Sequence, residues 1–542
     1  MRDARRLFSQ HLGIDTRSLA AFRIIAGSII LVDVLLRSRN FSLYYTSDGI
    51  VPLSVAKDLT PRYAISLYYL SDQPSVVASL FVLTGVVAVL FIVGYRTRIV
   101  SIAAFGLVIS LDHRNPLVLS EADTLLRHLL FWGMFLPLGE RWSIDSLQRD
   151  AQPRTRVVGM GTALILLQMV VFYLVNGYHK YQSSQWFDGT AAAVMLRRDE
   201  KTLVLGELVR PLMPLVQIGS VGWFLLLIGA WSLVVARDRL RTGLVILFIT
   251  GHLFLGVSFL IGLLSIISIA GVILFLPGGF WRDAHVAVRW LGADRFVFTE
   301  IVAPIGDVGQ WLASRLPKPT LLTDRQHPFR RGVHRVTLVA IWITIGLVLA
   351  VLLVSQIAPV VTGLSADVSE SPGVKDVVDN ATVLWPIMTT SQSLGVAQSS
   401  WNLFGSAPPW DRYYVFPAET VGGRRFDVYN NRSLSFERPY RQLQRQYDTY
   451  REHFFMSALL VRTGVQDDDR LSHALAEHFC GIWPQRYGSH ISHLNMYVVF
   501  ERVAVDRAYD PSARETYTIE FYRHGCDGRQ PKELVRSQGS VG

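Results

Sequence analysis

The sequence predicts an all-α polytopic membrane bundle of about nine transmembrane helices followed by a smaller extracytoplasmic α+β domain. Half of the 542 residues are apolar and the mean hydropathy is +0.29. The apolar residues are clustered in runs that reach or approach the roughly 20 residues a helix needs to cross a ~30 Å hydrocarbon layer. The final 180 or so residues are instead polar and aromatic, without long apolar runs.

Apolar spans are expected at 18–36, 76–94, 99–111, 124–138, 157–178, 221–236, 242–257, 258–276 and 336–357. Only helices suit such runs in lipid, because each segment must satisfy its own backbone N–H and C=O groups. The basic start followed by an apolar stretch resembles a secretory signal. Arg23 and Asp33 interrupt that stretch, however, and no small-residue cleavage site closes it, so it is read as the first membrane helix. Residues 242–276 are expected to form a hairpin, with Gly256 and Ser258 as the turn-forming residues. If they cross once instead, everything C-terminal changes sides. The domains follow as 1–282 for the bundle, 283–335 for a cytoplasmic linker, 336–357 for the last transmembrane helix and 358–542 for the α+β domain. Within "WRDAHVAVRWLGADRF" the linker has the periodicity of an interfacial helix.

The net charge of +10 is not a nucleic-acid signal. Its arginines cluster in loops beside the spans, at 1–6, 96–98, 149–156, 237–241 and 325–335. The positive-inside rule then places the N-terminus in the cytoplasm, and the loops 37–75, 112–123 and 179–220, with everything after 357, outside a cell membrane crossed many times. In the C-terminal domain "RYYVFP", "RRFDVYN", "MYVVFERVAV" and "YTIEFYRHGC" read as strands. "YRQLQRQYDTYREHFF" and "DRLSHALAEHF" read as helices. Cys480 and Cys526, the only cysteines, are expected to form a disulfide if this domain is extracytoplasmic, and to be two buried thiols if it is not. His473 with His478, and His490 with His493, lack tetrahedral-zinc spacing, so no metal site is expected.

Ionisable residues inside spans are costly and mark structure or function. Arg23 and Asp33 are ten residues apart on one helix and read best as structural partners of other helices. "DHRNPLVLSEADTLLRHLLFWGMFLP" is denser: Asp112, His113, Arg114 and Asn115 close one span, and Glu121, Asp123, Arg127 and His128 open the next. Asp123 and Arg127, at i and i+4, share a helix face and can pair. The group reads equally as a substrate vestibule or as a well-capped turn.

Lys180 is one of only six lysines and the only one adjoining the apolar body. Low-dielectric surroundings disfavour the charged amine, which makes a neutral proton acceptor accessible, as no arginine allows. His179, Tyr173, Asn176, Tyr178 and Trp186 supply donors and aromatic faces around it. The plainer reading is a helix-end lysine that snorkels to the interface within an aromatic belt. His252 stands alone in "LFITGHLFLGVSF", where a hydrogen bond to a neighbouring helix is the usual role.

The succession of Arg23 and Asp33, "YYTSDGIVP", "VGYRTR", "HRNPLVLSEADTLLRHLLFWGMFLP", "YLVNGYHKYQSSQWFDGTA" and a membrane histidine before "LFLPGGFW" resembles the horizontally transferred transmembrane (HTTM) domain over roughly residues 15 to 282. That domain forms the membrane part of the vitamin K-dependent gamma-carboxylases. The resemblance implies that Lys180 is the base that deprotonates a hydroquinone, with Trp186 and Asp188 following in the motif and His252 assisting carboxylation. It also implies His179, Tyr173, Trp186, Asp188 and Asn115 as the surroundings of a reduced, vitamin K-like quinone, with O2 and CO2 as co-substrates and an exported protein or peptide as acceptor. His179 stands where the motif has a second lysine, and one extra residue separates Lys180 from Trp186. The alternative is a non-catalytic membrane protein that binds lipid or assists the maturation of exported proteins.

Overall fold

In the computed structural model, residues 10–290, 303–318, 402–505 and 509–535 are described, with isolated positions 292, 293, 296, 300, 393, 395 and 396. The expected last span, 336–357, and the arginine-rich stretch 325–335 lie outside the described residues. Helix α1 (Thr16–Ser38) is opened by Asp15, whose carboxylate accepts the Arg17 N–H at 2.9 Å. Helix α2 (Pro74–Val93) begins with a proline, whose missing N–H costs nothing in the first turn. It ends at Gly94, where φ is +68° and the Arg23 guanidinium lies 2.9 Å from where a Cβ would stand. Arg23 donates to the carbonyls of Leu138 (2.8 Å), Arg141 (3.1 Å), Ile92 (3.2 Å) and Trp142. Its role is thus to gather carbonyls that a helix end and a loop leave unpaired.

Helix α3 (Thr97–Arg114) and helix α4 (Glu121–Gly133) follow, α4 opened by a capping box in which the Ser120 N–H donates to Asp123 Oδ2 at 2.7 Å. Then come α5 (Met160–Tyr181), α6 (Thr190–Leu196), α7 (Met213–Ile228), α8 (Asp238–Ser258), α9 (Leu264–Ile273) and α10 (Gly278–Trp290). Among the described residues α1, α2, α5 and α8 are long and apolar enough to cross a membrane, and α9 with α10, bent by 107°, makes a fifth if counted as one span. Among the described residues the other expected spans are helical but short or interrupted by charge: α3 ends in Asp112, His113 and Arg114, and α4 carries Asp123 and Arg127. Leu83, Val86 and Val89 of α2 and Ile246, Leu247 and Leu253 of α8 are exposed, as side chains facing lipid must be.

The stretch 242–276 breaks at Phe259–Leu263, later than Gly256 and Ser258. There Gly262 takes φ +61°, and α8 and α9 pack on each other across the short connection. Helix α10 leaves Val286 and Trp290 exposed, and α11 (Ala303–Arg315) packs on the turn at Ile144–Leu147.

The C-terminal region is a six-stranded antiparallel sheet with two helices. Strands β1 (Trp410–Val415) and β2 (Pro417–Thr420) lie in line along one edge of the long β5 (Ile491–Arg502), and β6 (Thr516–Gly525) takes its other edge. Strands β3 (Arg425–Asp427) and β4 (Arg432–Ser433) extend the sheet from β2. Helices α12 (Tyr450–Gln466) and α13 (Arg470–Tyr487) precede β5. Cys480 and Cys526 form a disulfide, Cα–Cα 5.9 Å, between α13 and the residue after β6.

A buried ion cluster fastens this domain to the bundle. Arg37 donates to Asp33 (2.8 Å) and Asp112 (2.6 Å), and Arg127 to Asp112 (2.8 Å). Arg127 therefore pairs with α3, while Asp123, its expected partner, accepts from Arg451 of α12 at 2.7 Å. Arg451 also donates to Asp33 and to the Val118 carbonyl at 3.0 Å. Three aspartates and three arginines thus balance in a volume closed to water. A second cluster clasps the loop after α6, where the N–H groups of Asp199 (2.6 Å) and Glu200 (3.0 Å) donate to Asp411. Loops 37–75, 112–123 and 179–220, which the arginine pattern puts on one side with this domain, all touch it, through Tyr44 against Phe455, Asp123 against Arg451 and Glu200 against Asp411. Arg451→Ala leaves Asp33 and Asp123 short of a buried counter-charge, for an expected loss of about 3–5 kcal/mol. The test is a clearly lowered unfolding midpoint in detergent; an unchanged midpoint means the docking rests elsewhere.

Candidate functional site

Lys180 lies in the last turn of α5 and is only 2% exposed. Its Nζ donates to Asn176 Oδ1, one turn back, at 2.7 Å, to the Leu403 carbonyl and to the Phe404 carbonyl at 3.4 Å, and sits 4.5 Å from the Trp186 ring centroid. Among the described residues every hydrogen-bond acceptor of this amine is neutral. Carbonyls and the negative end of a helix favour its ammonium form, whereas burial without a counter-charge opposes it. Lys180 is therefore not a lysine snorkelling to an interface.

Beyond Nζ lies a cavity of about 50 Å³, walled by aromatic and aliphatic side chains and including Tyr173, Trp186, Trp223 and His252. Tyr173 Oη and His252 Nε2 are 2.9 Å apart, Trp223 meets the His252 ring edge-on at 5.1 Å, and His252 Nδ1 is buried with no hydrogen-bond partner among the described residues. His252 thus makes the expected bond to a neighbouring helix and also faces the same cavity as Lys180.

One wall of the cavity is Leu403 and Phe404, from the segment 402–407, here called the strap, which the sequence did not single out. Asn402 Oδ1 accepts the Gly405 N–H at 3.1 Å, and between them Phe404 takes φ +56°, a left-handed conformation that bulky side chains seldom adopt. The strap is held by its main chain. Trp186 Nε1 donates to the Phe404 and Gly405 carbonyls at 3.0 Å, and Gln185 exchanges two hydrogen bonds with Ala407, at 2.9 and 3.1 Å. On its far side the Phe404 ring lies 5.6 Å from the Lys201 ammonium, whose pKa burial pushes down to about 8, with Arg198 adding to the shift. The signal for this strap in the sequence is faint: an asparagine and a glycine three residues apart around an aromatic, ahead of a proline pair.

Of the expected site residues, the fold brings Lys180, His252, Tyr173 and Trp186 together. His179 is half-buried outside the cavity lining, its Cβ 3.1 Å from where a Cβ on Gly405 would stand. Asp188 is exposed and caps α6, accepting from the Thr190 N–H at 2.9 Å and the Thr190 hydroxyl at 2.6 Å. Asn115 is buried near the ion cluster, where it caps the turn at Pro116–Val118 and donates to the Tyr44 carbonyl at 3.3 Å.

The long apolar helices define a membrane protein, and the cavity that holds the Lys180 amine and the His252 imidazole lies among them. The family model of the HTTM domain matches residues 12–279, and over that stretch the chain belongs to the HTTM family. No curated protein and no solved structure matches the chain.

Gln185→Ala removes both bonds to Ala407. Hydrogen exchange at the Ala407 amide is expected to rise about tenfold, the equivalent of roughly 1.4 kcal/mol, with the ion cluster undisturbed. Unaltered exchange would mean that Lys180 and Trp186 alone hold the strap.

Proposed function

We propose that this HTTM domain uses Lys180 as a general base on a weakly acidic, lipid-soluble hydroxyl compound, a reduced quinone of the vitamin K class by family resemblance. The observation that carries this reading is a buried amine whose acceptors are all neutral, on the wall of an apolar cavity. A carboxylate partner would hold Lys180 as ammonium, whereas neutral acceptors leave its lone pair available after deprotonation. Asn176 orients Nζ, the Trp186 face stabilises the protonated amine, and His252 with Tyr173 offers a second polar contact. When bound, the quinol supplies the redox chemistry with O2 that precedes any capture of CO2.

The walls suit a flat apolar ring, but ligand pockets of this kind run to about 300 Å³ or more. Entry therefore requires Leu403 and Phe404 to leave the cavity. The same contacts favour a second reading, in which Lys180 only anchors the strap and the domain serves lipid binding or the maturation of exported proteins. We also place the C-terminal domain outside the cytoplasm, with residues 336–357 as the last of nine crossings. The disulfide and the arginine-rich loops support that side.

Purified wild type and Lys180→Arg, both in lipid, are to be given quinol, O2 and labelled CO2 with a glutamate-containing peptide. The expected result is quinone epoxide from wild type and a loss of 100-fold or more with arginine, the scale of a missing general base. If quinol binds and neither protein forms epoxide, the base reading falls and the anchoring reading replaces it.

A further inference from the structure

We propose that His473, Glu477 and His524 form a site for one divalent transition-metal ion, zinc by donor set, in the C-terminal domain. His473 and Glu477 are four residues apart on α13 and share a helix face, while His524 comes from β6, against which that helix packs. One ligand atom from each falls within 4.8 Å of the other two, and His524 Nε2 lies 2.9 Å from Glu477 Oε1.

Two further details bear on the assignment. First, His524 Nε2 is buried and already turned toward the Glu477 carboxylate, so an imidazole nitrogen and a carboxylate oxygen share one point between helix and sheet. Second, His473 Nδ1 is 3.1 Å from the Tyr522 hydroxyl, which leaves Nε2 as the ligating nitrogen and holds the ring, the usual outer-shell arrangement of a metal-bound histidine. Ligands around tetrahedral zinc stand roughly 3.3 Å apart. His473 and Glu477 are exposed and can close by the remaining ångström or so, whereas His524 is fixed in the sheet.

The disulfide lies beside the cluster. It ties Cys480, one turn beyond Glu477, to Cys526, two residues after His524, and so sets the spacing of helix and strand before any ion arrives. Two imidazoles and one carboxylate suit zinc, nickel or copper better than calcium or magnesium, and three protein ligands leave a fourth position for water. The two cysteines also lie within ligand distance of His524, but disulfide sulfurs are not the thiolates that metals take.

The test uses the full chain without a polyhistidine tag, in detergent, stripped with chelator and titrated with zinc by calorimetry and with cobalt by absorption. One equivalent should bind, with the visible bands of tetrahedral cobalt and no thiolate charge-transfer band. His473→Ala and Glu477→Gln should each weaken zinc by at least tenfold, with the disulfide and the unfolding midpoint retained, while His478→Ala should not. Absence of stoichiometric binding, binding indifferent to the first two substitutions, or a thiolate band would overturn the assignment.

Discussion

Three carboxylates and three guanidinium groups shut away from water cannot be left partly paired, and the rest of the architecture depends on that constraint. Asp33 and Arg37 come from α1, Asp112 from α3, Asp123 and Arg127 from α4, and Arg451 from the C-terminal domain. A buried ion pair is seldom a net source of stability compared with apolar packing, but removing one partner is expensive. The cluster therefore acts as a fastening that accepts one arrangement of α1, α3, α4 and α12, and it fixes where the C-terminal sheet sits.

The cavity beside it follows the opposite rule. Lys180 has neutral acceptors in place of carboxylates, and His252 has a phenol. Within one chain, carboxylates and guanidinium groups are thus equal in number in the cluster around Asp33 and Asp123, whereas the Lys180 amine meets neutral groups. The strap spans both regimes: its main chain satisfies the amine, and it leads directly into β1.

The apolar helices were legible because their pattern is long and strong, and the strands because they are β-branched and aromatic. Lys180 was legible from its type, a lysine in a chain that otherwise prefers arginine, and the order of polar motifs placed it. What the sequence hid was partnership. Asp123 has Arg127 at helical spacing yet binds Arg451, 328 residues away, because only the fold decides which of several arginines approaches. His473 was set beside His478 by proximity in sequence, whereas the sheet brings it to His524. Asp188 and Asn115 belong to polar motifs but spend their side chains on capping, a local demand that spacing cannot separate from ligand binding.

The strap is a tethered occupant. Trp410, the first residue of β1, is three positions beyond Ala407, so with the sheet in place the near end of the strap can travel only about 10 Å. A ligand for the Lys180 cavity would compete with a segment that never diffuses away, present at the high local concentration a short linker imposes. Its measured affinity would be the intrinsic one scaled by the fraction of time the strap stands aside. Two opposing terms would bear on that fraction: the backbone strain of Phe404 at a positive φ, of order 1–3 kcal/mol, favours leaving, and the bonds to Lys180, Gln185 and Trp186 favour staying.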